Sequence, residues 1–177
     1  MSREVRKLNK EIADALVTEV NKLKCDALSF YAVALFHAEA TSAITEDDAT
    51  VDGYATSSVA LVNTEVTAYN AHRVAVYDGV SNFGAHISAD STNTITAPVA
   101  TDLSSAITRA NDLKAKFNLH ILNATPHAGN QDTVNTVTAT NASDEASLVT
   151  LVNQIKAKMN SHFAAAMSSQ SITLVDP

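Results

Sequence analysis

The chain has very little of several residue types on which common protein classes depend. Its 177 residues include one cysteine, four glycines, three prolines and no tryptophan. A lone cysteine, Cys25, excludes an intrachain disulfide, and four glycines are too few for a phosphate-binding loop or a dinucleotide-binding turn. Five Phe and four Tyr leave a thin core of small aliphatic side chains. Thin cores are typical of elongated units or of proteins that complete their burial with neighbouring subunits.

Positive charge and long apolar runs are also scarce. The net charge is −7 and the pI is about 5.2, which argues against nucleic acid and anionic membranes as partners because both bind a basic face. No apolar run approaches the roughly 18 residues of a membrane span, and the charged N-terminal residues lack the apolar stretch of a signal peptide. We therefore expect a protein made in the cytoplasm, with no nucleic-acid or membrane partner.

What the chain does have is a repeated phrase, Asn-x6-Asn-x-His. Its three copies are Asn63, Asn70 and His72; Asn111, Asn118 and His120; and Asn153, Asn160 and His162. A second phrase follows the first two copies, at 90–102 and 132–144. The chain is therefore built from a duplicated unit of roughly 42 to 48 residues, which is typical of a repetitive structural protein rather than a single-site enzyme.

The pattern predicts a mainly α fold of helical repeats joined by ordered Thr/Asn-rich loops. We predict a long N-terminal helix over 2–40 and repeat helices near 55–75, 101–122 and 143–168. The predicted units are 1–50, interpreted as the long helix, its linker and a degenerate repeat; 51–100, repeat 1 with an insertion near 79–85; 101–142, repeat 2; and 143–177, a truncated repeat 3. Residues 94–96 and 136–138 alternate polar and β-branched residues and are expected to be short, strand-like extended segments. A solenoid and a bundle both fit this pattern.

Local signals mark where the repeat helices begin and which face they bury. Thr101 or Asp102 is expected to cap the second repeat helix, and Ser143 or Asp144 the third. The apolar stripes are Ala106, Ala110, Leu113, Phe117, His120 and Ala124, and Leu148, Val152, Ile155, Met159, His162 and Ala166. These are a and d positions of a heptad. The stripe of 143–168 and the later part of helix 2–40 are the candidate subunit contacts.

The repeated polar residues suggest packing rather than catalysis. The paired asparagines of each copy are expected to pin a neighbouring loop through its backbone. Asp90 with Asn93, and Asp132 with Asn135, are expected to form turns, since each loop has too few carboxylates to bind calcium.

The histidines raise an alternative to a purely structural role, namely a metal site. His37 precedes Asn63 by the same interval at which His127 precedes Asn153. A metal site requires His72, His120 and His127 to converge, whereas repeat geometry is expected to place them one unit apart, each hydrogen-bonded to its own loop. We therefore predict no metal ligand, no cofactor and no catalytic residue.

The phrases NDLKAKFNLHILNATPHA, DTVNTVTATNASDEASLVTLVN and QIKAKMNSH resemble repeats of small virion structural proteins of tailed bacteriophages. The resemblance covers residues 100–165 well and 55–100 in part. It implies a non-enzymatic component of the virion, on the capsid surface, at the head–tail junction or in the tail. We expect a multi-copy capsid decoration or cement protein that binds itself and a major capsid or tail protein. The alternatives are a head–tail connector or tail accessory protein, a host-surface binding module and, less favoured, a histidine–metal protein.

Overall fold

The computed structural model describes residues 10–24, 42–76, 86, 88–127 and 131–164. Within these ranges the chain forms four helices: α1 (10–24), α2 (Thr56–Val74), α3 (Leu103–Ile121) and α4 (Glu145–Ala164). No strand occurs in them beyond an isolated bridge between Val76 and His86. The predicted mainly α class is confirmed. The rest of the predicted helix 2–40, including His37, the insertion near 79–85 and residues 165–177 lie outside the described residues.

The repeat helices begin at the polar residues that the sequence indicates. The Asp102 carboxylate accepts a hydrogen bond from the Ser105 backbone N–H at 2.8 Å, and the Ser105 side chain reciprocates in a capping box. Asp144 caps α4 in the same way through Ser147, also at 2.8 Å. These side chains satisfy helix N–H groups that have no partner within the helix.

The helices α2, α3 and α4 form a bundle in which each packs against the other two. Between α3 and α4 the chain runs back along α3, since Val137 is bonded to Asn118 late in the helix and Ala142 to Asn111 early in it. The next helix therefore starts beside the start of the previous one, and the three helices run parallel. Of the two arrangements that fit the sequence pattern, the described residues therefore form the bundle.

The core of the bundle is built from equivalent positions of the three repeats. Buried residues recur at intervals of four and three in each helix: Ser58, Val62, Glu65, Tyr69 and His72 in α2; Ala106, Ala110, Leu113, Phe117 and His120 in α3; Leu148, Val152, Ile155, Met159 and His162 in α4. This is the spacing of a parallel coiled coil. The predicted subunit contact through the stripe of 143–168 is wrong over the described part of α4, because the stripe is buried inside the chain's own bundle.

Asparagine side chains hold the return segments against the helices, as predicted. The Asn111 amide donates to the Ala142 carbonyl at 3.0 Å and accepts from its N–H at 2.8 Å. Asn63 holds Ala100 in the same manner, and Asn153 holds Ala49. Each helix thus binds, through an asparagine side chain, the segment that leads into the next helix, and α4 completes the cycle by binding the segment that leads into α2. The pair of hydrogen bonds between an asparagine amide and one backbone residue is hereafter called a grip.

A second asparagine in α3 and in α4 repeats this grip, but the one in α2 differs. Asn118 holds Val137, and Asn160 holds Ile44. Asn70 instead accepts a hydrogen bond from Arg73 Nε at 3.0 Å. Because residues 94–96 and 136–138 form no strand, the strand-like expectation for these segments is wrong: side chains of the helices take the place of a partner strand. Among the described helices, none has the length and apolar character needed to cross a membrane.

Candidate functional site

Histidines from all three repeat helices meet at one end of the bundle. His72, His86, His120, His127 and His162, hereafter the histidine cluster, each place a ring nitrogen within 4.8 Å of those of the others. Their exposed fractions are 0 or 1%. The expectation that repeat geometry separates the histidines by one unit is therefore wrong.

The parallel direction of the helices explains this convergence. His72, His120 and His162 occupy the same repeat position, close to the C-terminal end of α2, α3 and α4. In a solenoid, equivalent residues are spaced along a line; around a closed axis, they face one another. The duplication thus brings the three helical histidines together.

The other two members of the histidine cluster come from the segments that follow α2 and α3. The His86 backbone N–H donates to the Ala75 carbonyl at 3.1 Å, which ties His86 to the end of α2. His127 lies in the turn after α3, where its Nδ1 is 2.9 Å from the Asn123 carbonyl oxygen. A carbonyl only accepts hydrogen bonds, so Nδ1 carries the proton and Nε2 keeps its lone pair.

The two predicted aspartate turns are present and have a further role that the sequence does not indicate. The Asp90 carboxylate accepts from the N–H groups of Thr92 and Asn93, and Asp132 accepts from that of Asn135. The backbone N–H of Asp90 bonds to the Arg73 carbonyl, which fixes this turn at the end of α2.

Each turn aspartate also holds a histidine of the next helix. Asp90 Oδ2 lies 2.9 Å from His120 Nδ1, and Asp132 Oδ2 lies 2.8 Å from His162 Nδ1. The aspartates thereby orient two rings of the histidine cluster. The signal that could have revealed this role is the repeated aspartate that precedes a repeated histidine by 30 residues in both units.

Burial and these hydrogen bonds set the charges at the site. Burial lowers the pKa of His127 to about 4 and also lowers the pKa of His120, although the Asp90 hydrogen bond opposes the latter shift. Burial alone would raise the pKa of Asp90 and of Asp132, but hydrogen bonds, chiefly from His120 and His162 respectively, hold both pKa values well below the usual range. At neutral pH, a neutral His120 imidazole therefore lies beside the ionised Asp90 carboxylate.

The rings of the histidine cluster contact one another in a definite order. The His120 ring contacts the rings of all four other members, at centroid distances of 4.8 to 5.8 Å. Those four form a closed cycle in the order His72, His86, His127 and His162, at 4.6 to 5.4 Å. This is the connectivity of a square pyramid with His120 at its apex, that is, of five corners of an octahedron.

Helix α1 presents a different kind of candidate surface. Ile12, Leu16, Val20 and Leu23, hereafter the α1 stripe, are 59, 63, 54 and 40% exposed. At about 100° per residue they fall within roughly 80° of the helix circumference. An exposed row of large aliphatic side chains on one helix face is a candidate contact surface.

Comparison of the chain with protein-family models, with curated protein sequences and with solved structures finds no match.

Proposed function

We propose that this chain is a non-enzymatic structural protein of a tailed-bacteriophage particle, a capsid decoration or cement protein present in many copies. It associates with further copies of itself and binds a major capsid or tail protein. The observation that carries the proposal is the α1 stripe on a chain whose other described helices pack into a closed bundle. The resemblance of residues 100–165 to virion repeats supports the particle assignment.

The α1 stripe fits a second copy of the same chain. The charged residues of α1 balance: Lys10, Lys22 and Lys24 against Glu11, Asp14 and Glu19, within a chain of net charge −7. Copies brought together along α1 therefore avoid the repulsion that the rest of the chain would impose. Interleaved charges beside an apolar stripe are also the arrangement that pairs helices in register.

The size of the α1 stripe suits reversible association. Burying a fully exposed Val, Leu or Ile side chain contributes about 1.5–3 kcal/mol, so four side chains that are roughly half exposed contribute about 3–6 kcal/mol per chain. Association costs about 4–15 kcal/mol. Contact between two copies is therefore expected to be modest and concentration-dependent, and it becomes strong when a particle holds many copies side by side.

Sedimentation of the full chain tests the self-association. We expect a mass that rises with protein concentration for the natural chain and for Thr18→Glu, and a monomer for Leu16→Glu. The two variants add the same charge to opposite faces of α1, so the control isolates the stripe. A natural chain that is monomeric at about 100 µM, or equal masses for the two variants, would refute this role of the stripe.

The particle assignment has its own test. Mass spectrometry of density-purified virions is expected to detect the chain in many copies per particle, and cross-linking should join it to a major capsid protein. Cross-links to neck proteins or minor tail proteins alone would instead identify the alternative, a head–tail connector or tail accessory protein. Absence of the chain from purified virions would refute the assignment.

A further inference from the structure

We propose that the histidine cluster binds one divalent first-row transition ion through the five ring nitrogens of its members, and that the ion is of the type of Fe²⁺, Co²⁺ or Ni²⁺. The ion would tie together the C-terminal ends of α2, α3 and α4. The carrying observation is the square-pyramidal connectivity of the five buried rings around a common centre.

The distances within the histidine cluster suit a single ion. Bonds from imidazole nitrogen to such ions are about 2.0–2.1 Å long, so two nitrogens on opposite sides of an ion are roughly 4.2 Å apart. The ring nitrogens of the cluster lie within 4.8 Å of one another. For two nitrogens on opposite sides of the ion, an inward shift of about 0.3 Å per ring is enough to reach bonding distance.

The groups that are hydrogen-bonded to the histidine rings determine which ring nitrogen would bind the ion. His120, His127 and His162 have Nδ1 bonded to Asp90, the Asn123 carbonyl and Asp132 respectively. These bonds leave Nε2 as the ligand atom and fix the plane of each ring. A carboxylate or carbonyl behind a histidine is the usual outer arrangement of a metal site, where it selects the tautomer and strengthens the ligand.

The donor set selects the class of ion. Among the described residues, the histidine cluster offers nitrogen ligands, whereas Ca²⁺ and Mg²⁺ require oxygen ligands. Structural Zn²⁺ sites are nearly always tetrahedral with four ligands, and the cluster presents five in octahedral connectivity. Imidazole-rich sites of higher coordination number suit Fe²⁺, Co²⁺ and Ni²⁺. Complete burial closes the site to substrates, so the ion would have a structural role.

An ordinary core layer explains the same residues less well. His120 Nε2 is buried and has no hydrogen-bond partner within the described part of the chain, and such an atom costs about 1–3 kcal/mol. One layer further into the bundle, Tyr69, Phe117 and Met159 fill the equivalent positions without this cost. A bound ion would use the His120 lone pair and remove the penalty.

Metal analysis of the full chain, purified without a histidine tag, tests the proposal. We expect about one ion per chain in elemental analysis, or saturation of the metal-free chain at one equivalent of Co²⁺. Visible absorption weaker than that of tetrahedral Co²⁺ is expected for a coordination number of five or more, whereas intense tetrahedral bands would contradict the coordination. At a free ion concentration 100 times Kd, the folding equilibrium constant should rise about 100-fold.

Three variants separate ligation from packing. Removing an orienting carboxylate, as in Asp132→Asn, typically weakens metal affinity about 10- to 100-fold, and His120→Ala should weaken it at least as much. Phe117→Leu is the matched control: it disturbs the same end of the bundle and is expected to lower stability with an unchanged Kd. If His120→Ala does not fold, the metal affinity of Asp132→Asn still tests the proposal.

Two outcomes would overturn the proposal. One is a purified chain that contains no stoichiometric ion and whose metal-free form binds none of Fe²⁺, Co²⁺, Ni²⁺ or Zn²⁺ below about 100 µM. The other is a Kd equal in the natural chain, Asp132→Asn and Phe117→Leu, which would identify binding elsewhere. Tight binding of Zn²⁺ alone would contradict the proposed class of ion.

Discussion

The grip of an asparagine on a return segment allows a quantitative prediction for Asn111→Ala. The Asn111 amide makes two hydrogen bonds with the backbone of Ala142, which is 6% exposed. Each bond contributes about 0.5–1.5 kcal/mol, and a buried backbone group left without a partner costs about 1–3 kcal/mol. Because some water can reach the gap left by the truncated side chain, we expect a loss of about 2–4 kcal/mol in the free energy of unfolding.

Denaturant unfolding of the metal-free chain, followed by circular dichroism, measures this loss. Thr108→Ala is the matched control, since Thr108 is exposed on the same helix and bonds only locally, to the Ser104 carbonyl; we expect it to change stability by less than about 0.5 kcal/mol. Asn63→Ala and Asn153→Ala repeat the experiment in the other two helices, where the equivalent bonds are 2.7 to 3.0 Å long. Their losses should agree with that of Asn111→Ala to within about 1 kcal/mol.

A loss below about 0.5 kcal/mol for Asn111→Ala would refute the reasoning, because it would mean that solvent replaces the side chain at no cost. Widely different losses at the three positions would refute the equivalence of the three grips. Either result would mean that the apolar core contributes more, and these asparagine hydrogen bonds less, to the free energy of unfolding than we infer.

Other perturbations follow from single buried or capping groups. Glu65 is fully buried where α3 and α4 have Leu113 and Ile155, and neither of its carboxylate oxygens has a hydrogen-bond partner among the described residues; Glu65→Leu should stabilise the chain by about 1–3 kcal/mol at pH 5 in thermal or denaturant unfolding. Burial raises the pKa of Glu65 well above 4.5, against the opposing effects of the backbone and the charge of Lys156. The contribution of Glu65 to the stability of the folded chain is therefore fully present below pH 4.5 and is lost as pH rises towards the raised pKa. The stability difference between Glu65→Leu and the natural chain should therefore grow with pH by up to about 1.4 kcal/mol per unit, and a flat difference between pH 5 and 7 would contradict a protonated buried carboxyl. Asp144→Ala removes the cap of α4 and should cost about 1 kcal/mol in the same assay, whereas no loss would mean that solvent caps the helix equally well.

Local features of this fold can be predicted from the sequence because they depend on neighbouring residues. The caps at Asp102 and Asp144 and the turns at Asp90 and Asp132 depend on hydrogen bonds between residues two or three positions apart. The grips of Asn63, Asn111 and Asn153 could also be inferred, since an amide repeated at one heptad position needs a repeated partner.

The convergence of the histidine cluster could not be predicted in this way. Repetition shows which residues are equivalent, but it does not show whether equivalents lie along a line or around an axis. That choice depends on the direction in which each return segment runs, which is decided by packing over the whole unit. The same uncertainty led to the wrong assignment of the α4 stripe to a subunit contact.

The three helices form a closed cycle, in which each one grips the segment before the next. The folded bundle therefore does not depend on the point in the cycle at which the chain begins and ends. Segment 42–55 leads into α2 but lies on α4, and Ile44 is bonded to Asn160 near the end of that helix. A circular permutant that starts at residue 131 and joins 164 to 42 through about ten residues should therefore keep every grip. The closed cycle also means that α4 is already occupied: a further unit placed directly after α4 would have to displace segment 42–55 from Asn153 and Asn160.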